Sequence, residues 1–172
     1  MSELRIMVNG RVRTASVPPE TTLLALLREH FGLTGAKLGC DVGDCGACTV
    51  IVDGHAVNAC LVLAAQADGR EVLTIEGLAT ADALHPIQQA FETHASLQCG
   101  FCGPGVILSA KALLDGNPDP TTAEIRDALA GNLCRCTGYT KMIEAVRVAA
   151  QALRGDRDRG AAVASPPARS EA

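Results

Sequence analysis

The chain has 172 residues, of which 48% are hydrophobic and 20% are charged, so it is long enough for one globular domain or two small ones. Its 15 basic and 19 acidic side chains give a net charge of -4, which provides no basic surface for nucleic acid. No apolar run approaches the ~18 residues of a membrane-spanning helix. We therefore expect no nucleic-acid partner and no membrane span.

Cysteine is abundant in this sequence and aromatic residues are scarce. There are eight cysteines, whereas one tyrosine, three phenylalanines and no tryptophan leave few platforms for stacking bases. The first ten residues lack the basic and apolar regions of a secretory signal, and Arg11 and Arg13 do not form a twin-arginine pair. We expect a cytoplasmic protein, in which disulfides rarely persist and spaced cysteines bind metal or catalyse reactions.

The first 76 residues predict a small domain of strands and one helix. Five short runs have the composition of strands: residues 3–8, 11–17, 48–52, 55–59 and 71–75. Asn9-Gly10 between the first two is typical of a two-residue hairpin turn. A helix capped by Thr21 or Thr22 is expected to run through Phe31, and a glycine-rich loop without periodicity follows it.

The second part of the chain predicts helices alone. Four stretches have helical character: residues 85–95, 104–115, 122–130 and 139–153. Thr121 and Glu124 have the spacing of a capping box before the third of these helices. The fold class is therefore α+β. Its predicted parts are an N-terminal domain at 1–76, a helical domain at 77–153 and a flexible tail, without an apolar period, at 154–172.

The N-terminal cysteines have the spacing of an iron–sulfur site. Cys40, Cys45 and Cys48 follow the C-x4-C-x2-C pattern of plant-type ferredoxins, in which a distant fourth cysteine, here Cys60, completes a [2Fe–2S] cluster. Three thiolates must reach two irons from one tight loop, which has to bend sharply and approach the sulfurs closely. Glycine permits both, and the loop contains three: Gly39, Gly43 and Gly46.

The remaining four cysteines lie in two predicted interhelical loops. Cys99 and Cys102 precede the second helix of the helical domain, and Cys134 and Cys136 lie between its last two helices. The two pairs can meet only if the helices pack as a bundle with both loops at one end. Four thiolates then form a second closed sulfur site.

Other uses of the thiols are less compatible with the sequence. Disulfides conflict with the expected compartment and with the tight Cys134-x-Cys136 spacing. Zinc also takes four thiolates, but its knuckles use C-x2–4-C pairs, and Cys134-x-Cys136 is too short for one. A thioredoxin-type pair at Cys99 and Cys102 lacks the βαβ context. Four scattered histidines are given no ligand role: His30, His55, His85 and His94.

Three segments together resemble the iron–sulfur small subunit of molybdenum hydroxylases, the family of xanthine dehydrogenase, aldehyde oxidase and carbon monoxide dehydrogenase. They are residues 39–50, 98–105 and 131–139, and they occur in the family's order. The resemblance extends from residue 3 to residue 153. Gly103 departs from the family, whose members commonly carry threonine there, but it is not a ligand position.

The resemblance implies a plant-type ferredoxin-like (β-grasp) domain followed by a four-helix-bundle domain, each with one [2Fe–2S] cluster. A large subunit would hold molybdopterin and a medium subunit FAD, in a heterotrimer or a dimer of heterotrimers. The helical-domain cluster would lie near molybdenum and the ferredoxin-like cluster near FAD. Gln98 would hydrogen-bond the pterin, whereas without the family it reads as a surface amide at a helix end.

The expected function is electron transfer within an oxidoreductase. Substrate oxidation at molybdenum delivers electrons in pairs, whereas a [2Fe–2S] cluster accepts one at a time, so two clusters and then FAD would carry single electrons in series. No acid, base or nucleophile constellation and no Rossmann or Walker loop is visible in the sequence. A free-standing two-cluster ferredoxin-like carrier and a zinc-stabilised interaction module stay open as alternatives.

Overall fold

The computed structural model describes residues 1–164, which form a five-stranded mixed sheet followed by helices. The strands are β1 (Ser2–Val8), β2 (Arg11–Val17), β3 (Thr49–Val52), β4 (His55–Asn58) and β5 (Glu71–Leu73). The helices are α1 (Leu23–Ala25), α2 (Pro86–Thr93), α3 (Gly103–Gly116), α4 (Thr122–Leu129) and α5 (Thr140–Ala164). None of the helices in these residues combines the length and the apolar character that a membrane span needs.

The sheet has the strand order β2-β1-β5-β3-β4. β1 pairs antiparallel with β2 and parallel with β5, and β3 is antiparallel to both β4 and β5. Asn9 (φ 51°) and Gly10 (φ 72°) form the predicted hairpin turn with two positive φ angles. The hydroxyl of Thr22 accepts a hydrogen bond from the Ala25 N–H (3.1 Å), so Thr22 is the cap of the first helix.

The first helix differs from its prediction. It is α-helical only over Leu23–Ala25 and continues as a π-helical turn over Leu26–His30. The turn is wider because the Phe31 N–H bonds five residues back, to the Leu26 carbonyl (3.1 Å). Four leucines of this segment are buried beneath the sheet: Leu23, Leu24, Leu26 and Leu27.

Two hydrophobic cores meet at β3. Val50 and Val52 belong to the core between the sheet and α1, whereas Ile51 belongs to the core of the helices. Because successive side chains of a strand point to opposite faces, β3 is covered on both faces, and all four of its residues are buried. We call the sheet together with α1 the sheet half, and α2–α5 the helical half.

The last helix is longer than predicted. The sequence indicated an end at Leu153 and a tail from there, but α5 continues to Ala164. Arg154 donates to the Pro118 carbonyl (2.9 Å) and forms an ion pair with Asp119, which fastens α5 to the loop before α4. No proline occurs between Thr140 and Pro166, so the sequence does not stop the helix earlier. The predicted helix end is therefore wrong, and the part of the predicted tail from residue 165 lies outside the described residues.

Candidate metal centres

The hairpin of β3 and β4 brings two cysteines of the sheet half together. Thr49 pairs with Asn58, so Cys48 just before β3 and Cys60 just after β4 leave the hairpin side by side. Both are buried, and their thiols are close neighbours. The register of β3 with β4 therefore brings the sulfurs of Cys48 and Cys60 together.

The glycine-rich loop carries the other two cysteines of this set. The sulfur of Cys40 accepts hydrogen bonds from the backbone N–H groups of Val42 (3.5 Å) and Cys45 (3.4 Å). Both bonds lower the pKa of the Cys40 thiol, to about 7, and the bond from Val42 contributes most. Since the thiolate is the form that binds metal, the loop favours the ligating state of Cys40 near neutral pH.

Gly39 makes room for the second sulfur of the loop. A Cβ at position 39 would lie 2.8 Å from the Sγ atom of Cys45. Any side chain there would push this sulfur away from Cys40. The position therefore requires glycine for space, as the sequence predicted for the loop.

The helical half brings its two cysteine loops to one end, as the sequence predicted. The Sγ atoms of Cys99, between α2 and α3, and Cys136, between α4 and α5, lie 3.6 Å apart. The thiols of Cys102 and Cys134 are also close neighbours. The first pair is exposed, whereas Cys102 is buried and Cys134 is half-buried.

Three of the other thiols have pKa shifts that oppose ionisation. Burial raises the pKa of Cys48 to about 11 and that of Cys102 to about 12. The neighbouring Cys99 thiol raises the pKa of Cys136. A bound metal ion deprotonates such thiols, so metal binding here is coupled to proton release.

The thiols of each half come as two close pairs. A closed zinc site collects all four ligands around one ion, whereas a two-iron cluster takes two ligands on each iron. The donor sets and their pairing therefore fit a [2Fe–2S] group in each half, and in the sheet half the space at Gly39 supports this fit.

Direct hydrogen bonds join the cysteine loops of the two halves. The Leu133 N–H, one residue before Cys134, donates to the Cys45 carbonyl (2.9 Å). The side-chain amide of Asn132 donates to the Gly46 carbonyl (3.0 Å) and to the Thr49 hydroxyl (3.2 Å), and Asn132 is only 2% exposed. The two sites are therefore held together by hydrogen bonds between residues that adjoin or lie close to their own proposed ligands.

Three polar residues near Cys134 carry interactions that the sequence analysis did not assign. Asn132 joins the halves, the Thr137 hydroxyl lies 3.2 Å from the Cys134 sulfur, and the Tyr139 phenol accepts from the Cys134 N–H (2.6 Å). All three lie in the motif at 131–139, which was the available signal. Gln98 is exposed beside Cys99.

Two iron–sulfur families divide the chain between them. Residues 6–75 match the family described as 2Fe-2S iron-sulfur cluster binding domain, and residues 74–147 match the [2Fe-2S] binding domain family. The chain is thus a protein with two [2Fe–2S]-binding domains.

Curated relatives resemble the chain over most of its length. The nicotine 6-hydroxylase small subunit of Paenarthrobacter nicotinovorans is 54% identical over 84% of this chain and 87% of its own. The nicotinate dehydrogenase small FeS subunit of Eubacterium barkeri is 51% identical, over 86% and 94%. The chain belongs to the iron–sulfur small subunits of the molybdenum hydroxylases, which are oxidoreductases.

Solved structures agree with this assignment. Quinoline 2-oxidoreductase from Pseudomonas putida 86 superposes with a TM-score of 0.86 at 42% identity, over 90% of this chain and 96% of the matched chain. The aldehyde oxidoreductase from Desulfovibrio gigas gives a TM-score of 0.87 at 46% identity, over 91% of this chain but 18% of that one. The predicted ferredoxin-like and helical architecture is therefore confirmed.

Proposed function

We propose that this chain carries single electrons from a molybdenum centre in a large partner subunit to FAD in a medium subunit. A [2Fe–2S] cluster bound in each half supplies the one-electron chemistry. The observation that carries the proposal is the presence of two paired thiol sets whose loops are joined by the Leu133–Cys45 hydrogen bond. A diffusible carrier needs only one such site.

The proposed ligands follow from the pairing of the thiols. In the sheet half one iron takes Cys40 and Cys45, and the other takes Cys48 and Cys60. In the helical half the pairs are Cys99 with Cys136, and Cys102 with Cys134. The burial of Cys48, Cys60 and Cys102 keeps water from one side of each site. We also propose that the two domains divide at residue 76.

The exposed end of the helical half is the proposed contact with the molybdenum subunit. Cys99 and Cys136 reach the surface there, and Gln98 is exposed beside them, where its amide is able to bond a pterin. The loop of Cys40 would face the flavin subunit. Relatives named as small subunits support such an assembly, a heterotrimer or a dimer of heterotrimers. Cysteines that bind metal instead of forming disulfides favour the cytoplasm.

Metal and sulfide analysis of the purified full chain tests the proposal. Two [2Fe–2S] clusters require about four iron and four acid-labile sulfide per chain, together with red-brown absorption. Colourless protein with stoichiometric zinc supports the interaction module instead. Half the iron in fully loaded protein rules out two clusters, and purification from its natural source without any partner subunit favours the diffusible carrier.

A further inference from the structure

The hydroxyl of Thr137 lies next to one of the proposed ligand sulfurs. Its Oγ1 is 3.2 Å from the Sγ atom of Cys134, in the loop between α4 and α5, and Thr137 is half-buried. Among the hydrogen bonds of residues 1–164, this is the one that joins a side-chain hydroxyl to a cysteine sulfur. The direction of this hydrogen bond determines what Thr137 does to the site.

The surroundings of Thr137 fix that direction. Its oxygen accepts a hydrogen bond from the Tyr139 N–H (3.3 Å), so its single proton is left for an acceptor. An iron-bound cysteine is a thiolate and has no proton to donate. The other neighbour, the Met142 thioether, is farther away (3.7 Å) and uncharged. The hydroxyl therefore donates to the charged and closer sulfur of Cys134.

Tyr139 holds the loop in this arrangement through both its backbone and its phenol. Its backbone has a φ of 68°, and its N–H donates to the Thr137 hydroxyl (3.3 Å). Its phenol accepts from the Cys134 N–H (2.6 Å) and donates to the Asn132 carbonyl (3.0 Å). The distance between the Thr137 hydroxyl and the Cys134 sulfur is thus set by a closed ring of contacts within the loop.

The site in the sheet half differs in the origin of its hydrogen bonds to sulfur. Cys40 accepts from the backbone N–H groups of Val42 and Cys45, which a side-chain substitution leaves in place. The sulfur of Cys134 also has backbone N–H donors, at Cys136 and Thr137, but the Thr137 hydroxyl adds a side-chain donor that a substitution removes. Hydrogen bonds to cluster sulfur are one of the means by which a protein sets the reduction potential.

We propose that Thr137 is a positioning residue that raises the reduction potential of the cluster in the helical half, by donating a hydrogen bond to the Cys134 thiolate. The bond withdraws electron density from the sulfur and so stabilises the cluster after it has taken up one electron. This inference rests on the proposed function, because it needs a cluster at Cys134. Thr137 thereby helps to set the difference in reduction potential between the two clusters of this chain.

The test is a redox titration of the full chain, with dithionite as reductant and the two clusters followed by their electron paramagnetic resonance signals. The signal that Cys48→Ser alters belongs to the sheet half. Thr137→Val removes the hydroxyl but keeps the shape of the side chain. We expect the midpoint potential of the helical half to become more negative and that of the sheet half to stay unchanged. Thr137→Ser is expected to retain the wild-type potential.

Two controls separate this role from a structural one. Thr140→Val makes the same change at an exposed position three residues along and is expected to leave both potentials unchanged. Thr137→Ala and Thr137→Ser differ by a single oxygen. The potentials of this pair are compared instead if the valine variant does not bind its clusters.

Three results decide the matter. Unchanged potentials in loaded valine or alanine variants would overturn the inference. Loss of the helical-half signal in both variants, with the serine variant intact, would also overturn it and assign Thr137 to cluster assembly. Wild-type protein without two cluster signals would instead refute the proposed function.

Discussion

Gly46 lies where the cysteine loops of the two halves touch. Its φ is +66°, and a Cβ there would lie 2.2 Å from the carbonyl oxygen of Gly131. Its own carbonyl accepts hydrogen bonds from the Asn132 amide (3.0 Å) and the Thr49 hydroxyl (2.7 Å). One position therefore needs both the left-handed backbone and the absence of a side chain.

Replacing Gly46 with alanine is expected to damage both stability and metal content. Gly54→Ala is the matched control, since Gly54 also has a positive φ (+83°) but open space around its Cβ position. The control carries only backbone strain, about 1–2 kcal/mol, whereas Gly46→Ala must also displace the Gly131 carbonyl. Urea unfolding and iron content measure the two effects. Equal losses in both variants would show that the contact with Gly131 is unimportant.

Among the elements, α4 shows most directly how local sequence fixes an end. The Thr121 hydroxyl accepts from the Glu124 N–H (3.3 Å), and the Glu124 carboxylate accepts from the Thr121 N–H (2.7 Å). The Thr121 N–H lowers the pKa of Glu124 below its ordinary value of 4.5. A folded pKa below the unfolded one means that this contribution to stability is present at neutral pH. It is lost as the pH falls through the lowered pKa.

Removing the cap is expected to destabilise the helical half. Thr121→Ala loses the hydroxyl that accepts from Glu124, at a cost of about 1 kcal/mol in the free energy of unfolding. Thr122→Ala changes the next residue, which is exposed and is the first residue of the helix, and is expected to be nearly neutral. Thermal unfolding of the two variants at neutral pH measures the difference. The assignment of the cap fails if both variants melt at the same temperature.

Signals that act within a few residues made much of the fold predictable. The Asn9-Gly10 turn, the Thr22 cap and the Thr121 cap all depend on adjacent backbone, and all are present in the structure. The end of α5 was not predictable in this way. Its continuation past Leu153 accompanies a contact of Arg154 with a loop 35 residues earlier in the sequence.

The candidate site was predictable as two sets of cysteines but not in its internal arrangement. Spacing indicated which thiols belong to the same half, and the loops do bring them together. Which thiols form close pairs depends on the register of β3 with β4 and on the packing of the helices. The contact between Thr137 and Cys134 lies in a loop where Gly138 and Tyr139 both have a positive φ, which a non-glycine residue such as Tyr139 rarely adopts.

At the scale of the whole molecule, the two sites lie in one continuous structure. Ile51 of the sheet packs into the helical core, and Leu73 and Ile75 pack against that core from the end of the sheet half. The two cysteine loops are hydrogen-bonded to each other through Cys45 and Leu133. Their relative positions are therefore set within this chain before any partner binds.

Variants in the two halves are expected to interrupt the proposed relay at different points. In the assembled complex, Cys48→Ser leaves the helical-half signal reducible by substrate but strongly slows flavin reduction, because the sheet-half site is altered. Cys136→Ser, which alters the site proposed to face molybdenum, leaves both the sheet-half signal and the flavin oxidised on the same timescale. Rapid-mix absorption and resonance spectra distinguish the two patterns. Normal flavin reduction with Cys48→Ser would contradict the proposed order, in which electrons pass through the sheet-half cluster before they reach the flavin.

The double coverage of β3 also bears on how the chain is made. Translation proceeds from the N-terminus, so β3 and β4 leave the ribosome before α3 exists. Until α3 follows, Ile51 has no helical core to enter, and the outer face of the strand presents apolar surface to water. A fragment that ends after the sheet half is therefore expected to aggregate more readily than the full chain, because the Ile51 face of β3 stays uncovered.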